Sequence, residues 1–222
     1  MQFVAGLRGF GLIVIWGDQV TAGIVGLPLL CFLLGYALGA VPFGLLLTRA
    51  AGLGDVRDIG SGNIGATNVL RTGRKGLAAT TLLLDAAKGA AAVLLAGWLW
   101  PDQPQFPGIA AIGAFLGHLY PIWLRFRGGK GLATGLGIVA ALHWPSALAL
   151  GMVWLLMLIV TRYSSVSGMT TAVAAPVTAA IFGRFDLALL FLGFALLVLW
   201  KHRANISRLI AGTEPKVGKA AD

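Results

Sequence analysis

The apolar residues of this chain come in long blocks, and the charged residues fall between them. A soluble core would show alternating or half-apolar patterns instead. A bilayer core of about 30 Å takes roughly 20 apolar residues as helix, and shorter stretches suffice where they are kinked or shielded by neighbours. Seven blocks qualify, near residues 24–48, 76–100, 109–124, 132–144, 146–161, 169–182 and 187–200. The fourth and sixth are short enough to be tilted, broken or re-entrant. Hydrophobic residues make up 58% of the chain and charged residues 11%, too little polar surface to cover a soluble domain. The expected fold is an all-α integral membrane bundle of about seven transmembrane helices.

Residues 1–23 contain a short apolar run behind a lone Arg8 and look superficially like a signal peptide. The run is brief, its start is hardly basic, and no small-residue cleavage site follows, so an N-terminal extension is expected there. Residues 24–212 form the expected membrane domain and 213–222 a polar tail. The net charge of +9 and pI near 10.5 would suggest nucleic acid in a soluble protein, but these cations sit in the connectors of a membrane bundle, and no nucleic-acid partner is expected. Lysine and arginine are retained on the cytoplasmic side. Seven spans put Arg49, Arg57, Arg71, Arg74 and Lys75 on one side, with Arg125, Arg127, Lys130, Arg162 and the tail residues Lys201, Arg203, Arg208, Lys216 and Lys219. Only Arg8 and Arg184 fall opposite, so the N-terminus is expected outside and the C-terminus in the cytoplasm.

A lone Cys31 can form no internal disulfide, and His118, His143 and His202 are too scattered for a metal-ligand set, so no metal is expected. The first connector is richer in chemistry. Its stretch 60–71 (GSGNIGATNVLR) combines glycines with the donors Ser61, Asn63, Thr67, Asn68 and Arg71, the composition of a phosphate cradle. Its formal G-x-G-x-x-G lacks the preceding strand of a dinucleotide fold. The third connector, 126–134 (FRGGKGLAT), places Gly129, Lys130 and Gly131 at the start of a helix, where free N–H groups and the helix dipole attract anions. It is not a Walker sequence, because Leu124 occupies the first glycine position and Gly131 follows the lysine. His118, just upstream, reads as satisfying a backbone group near the interface.

The fifth connector carries the hydroxyls Ser164, Ser165 and Ser167, which by themselves read as helix caps. A helix just past the last span would set His202, Asn205 and Arg208 along one face. Asp85 and Lys88 stand three apart inside a membrane helix, where ionisable residues are costly and usually paired, and they read as support beneath the site. All these donors emerge on the side selected by charge alone. One composite anion site at the cytoplasmic interface is the expectation.

These pieces resemble the bacterial membrane glycerol-3-phosphate acyltransferases that use acyl phosphate as donor, the PlsY family. The similarity covers, in order, 60–71 (GSGNIGATNVLR), 84–89 (LDAAKG), 117–121 (GHLYP), 126–134 (FRGGKGLAT), 164–167 (SSVS), 202–208 (HRANISR) and 212–214 (GTE). It implies transfer of an acyl group from acyl phosphate to the sn-1 hydroxyl of glycerol-3-phosphate in the bacterial inner membrane, releasing lysophosphatidic acid and inorganic phosphate. No cofactor is implied, and neither coenzyme A nor acyl carrier protein is the donor. Ser61, Asn63, Lys130 and His202 are then the expected catalytic residues. Thr67, Asn68, Arg71, Gly129, Gly131, Ser167 and Asn205 are expected to bind the substrate phosphates, with Asp85, Lys88 and Arg208 supporting. His202 reads equally as a general base or as a phosphate ligand. The His-x-x-x-x-Asp dyad of other acyltransferases is absent, since Trp123, Leu148 and Ser207 stand five residues after the histidines. The competing reading is a membrane anion transporter, which would need polar residues continuing to the outer face, and the outer halves are almost wholly apolar.

Overall fold

The structure, a computed structural model, describes residues 25–218; the extension expected at 1–23 and Lys219 lie outside them. The described chain is helical throughout, with α1 Leu27–Gly39, α2 Phe43–Ala50, α3 Ala66–Leu70, α4 Lys75–Leu99, α5 Phe106–Leu119, α6 Leu132–Leu142, α7 Trp144–Thr161, α8 Ser164–Ile181, α9 Phe185–Lys201 and α10 Arg203–Ile210. Single 3-10 turns lie at Val56–Asp58 and Ile122–Leu124.

Helix occurs at all seven expected positions, but among the described residues four helices are long and apolar enough to cross a membrane: Leu27–Ala50 taken through its break, Lys75–Leu99, Phe106–Leu124 and Trp144–Thr161. Counting α9 and α10, bent by 56°, as one broken span gives a fifth. The α6 helix has 11 residues. At 1.5 Å per residue it reaches about 16 Å, so it cannot cross alone. α8 runs for 18 residues but spends several of them on Ser and Thr. It also begins earlier than the apolar pattern indicates, because Ser164–Gly168 are wound into the helix.

The first expected span is interrupted at residues 40–42, where Pro42 can supply no N–H to continue the ladder. Backbone groups freed inside a membrane must find donors elsewhere. Here the Trp123 indole donates to the Ala40 carbonyl at 2.7 Å, and the Lys88 ammonium donates to the Val41 carbonyl at 2.7 Å. The break is therefore stapled to α4 and to the turn after α5.

Helices meet through glycine. A methyl on Gly35 or Gly39 would strike the Ala110 or Ala114 carbonyl, and one on Gly113 or Gly117 would strike the Phe32 or Tyr36 carbonyl, so α1 and α5 touch backbone to backbone. Gly89 and Gly137 bring α4 and α6 together in the same way. The remaining core is aromatic and aliphatic, centred on Phe115 and Phe194, whose rings stack with centroids 4.1 Å apart. Outward faces are apolar too: Leu148, Met152, Leu156, Ile159 and Val160 of α7 are exposed, as lipid contact requires.

Candidate active site

The first connector is shaped from within. Asp55 accepts two bonds from the Arg57 guanidinium, at 2.8 and 2.6 Å, one from the Arg57 N–H at 3.0 Å and one from Arg49 at 2.8 Å, and the Arg57 bonds hold its carboxyl well below the usual carboxylate range. Gly60 and Gly62 then take left-handed φ values of 55° and 65°, which an L side chain would resist. Asn68 is the knot of the loop. Its buried amide donates to the carbonyls of Val56 (2.7 Å), Ile59 (3.1 Å) and Asn63 (2.8 Å), while its oxygen accepts from the Ser61 N–H (3.0 Å), the Ser61 hydroxyl (3.3 Å) and Arg71 (3.3 Å). The Asn63 oxygen caps the Gly65 N–H at 2.9 Å. Ser61, Thr67 and Arg71 are left on the exposed side of the loop. Thr67 ties it to α8 through the Ser164 hydroxyl at 3.0 Å.

The glycine-lysine connector is held from below. Gly129 N–H donates to the His118 carbonyl at 3.0 Å, and the His118 ring lies so close that a methyl on Gly129 would strike its Nε2. His118 Nδ1 stands 3.8 Å from Asp85, and Asp85 is 2.6 Å from Lys88. One buried chain of polar groups thus runs from the break at Val41, through Lys88, Asp85 and His118, to the backbone beneath Lys130. Gly131, with φ of 88°, turns the chain into α6.

The third component comes from the C-terminal end, where α10 and the segment after it fold back. Lys130 Nζ donates to the Asn205 side-chain oxygen. The Asn205 amide donates to Glu214 Oε1 at 2.6 Å, Ser165 donates to the same oxygen at 2.6 Å, and Arg208 Nε donates to Oε2 at 2.7 Å. Burial alone would raise the Glu214 carboxyl, but these three donors together hold it below its ordinary value. Burial lowers the Lys130 ammonium to about 8, with the Glu214 charge opposing and the charges of Arg208, Arg71 and Lys201 assisting. His202 is buried, its Nδ1 lies 2.8 Å from the Val198 carbonyl, and burial followed by the Lys130 charge lowers it to about 4. Neutral imidazole with Nδ1–H on a carbonyl leaves a lone pair on Nε2.

The structure therefore gathers Lys130, His202, Asn205 and Arg208, with the Arg71 charge close enough to act on Lys130. Asp85 and Lys88 lie beneath this group. Gly129 spends its N–H on His118, and Ser167 turns its hydroxyl back to the Tyr163 carbonyl at 3.0 Å. Two residues at the cluster, Glu214 and Ser165, lie in stretches that carry the resemblance but receive no role from it. Glu214 sits in the polar tail with no spacing signal, and Ser165 is one of three similar serines. Gly131 and Leu132 also border a small apolar cavity of about 40 Å³ that lies among α5, α6, α7, α8 and α9, against Ala172, Phe194 and Val198.

Comparison with known proteins agrees with this architecture. Residues 29–212 match the model of a family described as glycerol-3-phosphate acyltransferase. A glycerol-3-phosphate acyltransferase of Mesorhizobium japonicum is 58% identical over 199 residues, covering 90% of this chain and 98% of that protein. One from Nitrobacter winogradskyi is 53% identical, covering 87% and 97%. The crystal structure of PlsY, an integral membrane glycerol 3-phosphate acyltransferase, in its glycerol 3-phosphate form superposes with a TM-score of 0.81 at 33% identity, covering 87% of this chain and 96% of that one. Its lysophosphatidic acid form gives 0.79 at 32% identity. The chain belongs to the PlsY family of bacterial integral membrane glycerol-3-phosphate acyltransferases.

Proposed function

We propose that this chain transfers a fatty acyl group from acyl phosphate to the sn-1 hydroxyl of glycerol-3-phosphate, giving lysophosphatidic acid and inorganic phosphate without coenzyme A, carrier protein or cofactor. The observation that carries this reading is a cationic cluster of Lys130, Arg71 and Arg208, with His202, on a bundle whose outward faces are apolar. Phosphates belong on the first, and an acyl chain lies against the second. The unit is residues 24–212 with the polar tail at 213–222, and it crosses the inner membrane seven times, α6 with the help of the segments that flank it, with the N-terminus outside. The partition of basic residues supports that orientation and a cytoplasmic active site.

In this account Lys130, Arg71 and Asn205 bind the phosphate of glycerol-3-phosphate, with Arg208 and Ser167 supporting that wall. Ser61, Asn63, Thr67 and the loop held by Asn68 orient the acyl phosphate. The sn-1 oxygen attacks the acyl carbonyl carbon, and the hydroxyl proton passes to His202 Nε2. As the carbonyl re-forms, the bond between the carbonyl carbon and the phosphate oxygen breaks, and inorganic phosphate leaves with the proton that His202 returns. Lys130 and the N–H groups of the Gly131 turn stabilise the charge on the carbonyl oxygen. Acyl phosphate is already activated, so positioning two bound substrates is the main task, and it can supply about 7–11 kcal/mol of the barrier.

Glycerol-3-phosphate carrying heavy oxygen at its sn-1 hydroxyl tests the bond chemistry. Incubated with acyl phosphate and purified protein in a lipid mesophase, it should give lysophosphatidic acid that retains the label in its ester, with one unlabelled phosphate released per product. Label in the released phosphate, or no product from folded protein, would refute the assignment.

A further inference from the structure

A second basic site lies beside the first. A cavity of about 660 Å³ is walled by Arg57, Arg127, Lys201 and Arg203, with Phe126 and Trp200, and none of Lys130, Arg71, His202 or Asn205 lines it. Such a volume is that of a ligand site. Asp58 is the one acid in its wall, and Arg57 is already paired with Asp55 at 2.6 Å. Among the described residues, no carboxylate stands within ion-pair distance of Arg127, Lys201 or Arg203. Aromatic rings and carbonyls hold two of these cations instead. Lys201 Nζ lies 4.6 Å over the Tyr120 ring and donates to the Leu119 carbonyl at 2.9 Å; the Arg203 guanidinium lies 5.1 Å over Trp200. Cations that outnumber the acids around a recess call for an anion.

The rim indicates how that anion arrives. Trp200 is 61% exposed and Phe126 56%, and the adjoining turn leaves Ile122 and Trp123 exposed as well. Tryptophan and other aromatics beside arginine and lysine form the belt of a membrane at headgroup depth. A free anion gains nothing from an apolar rim, whereas a phospholipid lays its glycerol backbone and upper chain against one.

We propose that this cavity binds the phosphate headgroup of an anionic phospholipid of the surrounding bilayer, at a site separate from the transfer site. Its wall includes the backbone of Gly62 and Gly128, one from each of the two substrate loops. Lipid binding therefore clamps both loops in the arrangement described, and transfer activity rises with the anionic lipid content of the membrane. This rests on the membrane placement of the chain but not on the identity of the acyl donor.

The full-length protein reconstituted in phosphatidylcholine vesicles, with spin-labelled phosphatidylglycerol or spin-labelled phosphatidylcholine, tests it. The motionally restricted fraction reports selectivity directly, without any transfer assay. Wild type should prefer phosphatidylglycerol, Arg127→Lys with Arg203→Lys should retain the preference, and Arg127→Gln with Arg203→Gln should lose it by about tenfold or more, as expected from removing two cations near a charged surface. Both double variants should keep wild-type transfer activity in pure phosphatidylcholine. Equal selectivity in wild type and the Gln variant would overturn the proposal. So would loss of wild-type selectivity on adding inorganic phosphate, which would mark a site for the free anion.

Discussion

Lys130, at the mouth of α6, donates its ammonium proton to the side-chain oxygen of Asn205 on α10, 75 residues away in sequence. Asn205 passes the interaction on to Glu214, so the lysine proposed to meet the phosphate is aimed by a relay whose far end is a buried carboxylate. Hydrogen bonds to charged groups contribute about 1.5–3 kcal/mol. Asn205→Ala should therefore lower kcat/KM for glycerol-3-phosphate by about ten- to a hundredfold. Asn205→Asp should lower it further, because a second carboxylate would face both Glu214 and the substrate phosphate. Steady-state kinetics on the two variants would check the order.

The position of Lys130 near a pKa of about 8 has its own consequence. Burial favours the neutral amine, so the free enzyme carries the binding charge below about pH 8 and loses it above. The value of kcat/KM for glycerol-3-phosphate should fall as pH rises through that point, while kcat at saturation should fall at higher pH, because bound phosphate holds the proton on. Lys130→Arg should remove the alkaline limb, since guanidinium does not titrate there. A pH profile with the same limb in both proteins would assign it elsewhere.

For His202 the sign is opposite. With its pKa lowered to about 4, the imidazole is neutral through the physiological range and loses its acceptor role only as pH falls toward that value. The kcat/KM profile should show no inflection near 6.5, the ordinary histidine value. General-base catalysis contributes roughly a hundred- to ten-thousandfold, so His202→Ala should lower kcat by that order with a smaller change in KM. A raised KM with kcat and its pH profile intact would make His202 a phosphate ligand and assign the proton to a substrate oxygen.

Beneath the loop, the pair Asp85 and Lys88 at 2.6 Å can be tested by stability. Removing one partner of a buried pair costs about 3–5 kcal/mol, whereas replacing both with apolar residues is often neutral. Lys88→Met should lower the melting temperature in detergent markedly, and adding Asp85→Leu should recover much of the loss. Recovery will be incomplete, because the Val41 carbonyl still lacks its donor. Equal melting temperatures for the single and double variants would show that the pair is not coupled.

Much of this molecule is legible in its residues because the constraints are local or one-dimensional. Apolar blocks set the helices, the cations set the expected sides, and the runs at 60–71 and 126–134 announce donors next to glycines. What does not show is decided by tertiary contact. Asn68 and Ser61 are both polar loop residues, yet Asn68 is consumed in tying the loop and Ser61 is left facing outward. Among Ser164, Ser165 and Ser167, the phase of α8 alone sends one to Thr67, one to Glu214 and one back onto its own helix. Glu214 has no periodicity to announce it, since its burial follows from the fold-back after α10. The break at 40–42 is written in Pro42, but an apolar count runs straight across it.

The proposed reaction hands an acyl group from acyl phosphate to glycerol-3-phosphate by this chain alone. Purified protein should be given labelled glycerol-3-phosphate with palmitoyl phosphate, palmitoyl coenzyme A or palmitoyl carrier protein in parallel. The account predicts labelled lysophosphatidic acid from palmitoyl phosphate only, with one inorganic phosphate released per product and loss of turnover in Lys130→Met. Product from either thioester, or none from palmitoyl phosphate, would contradict it.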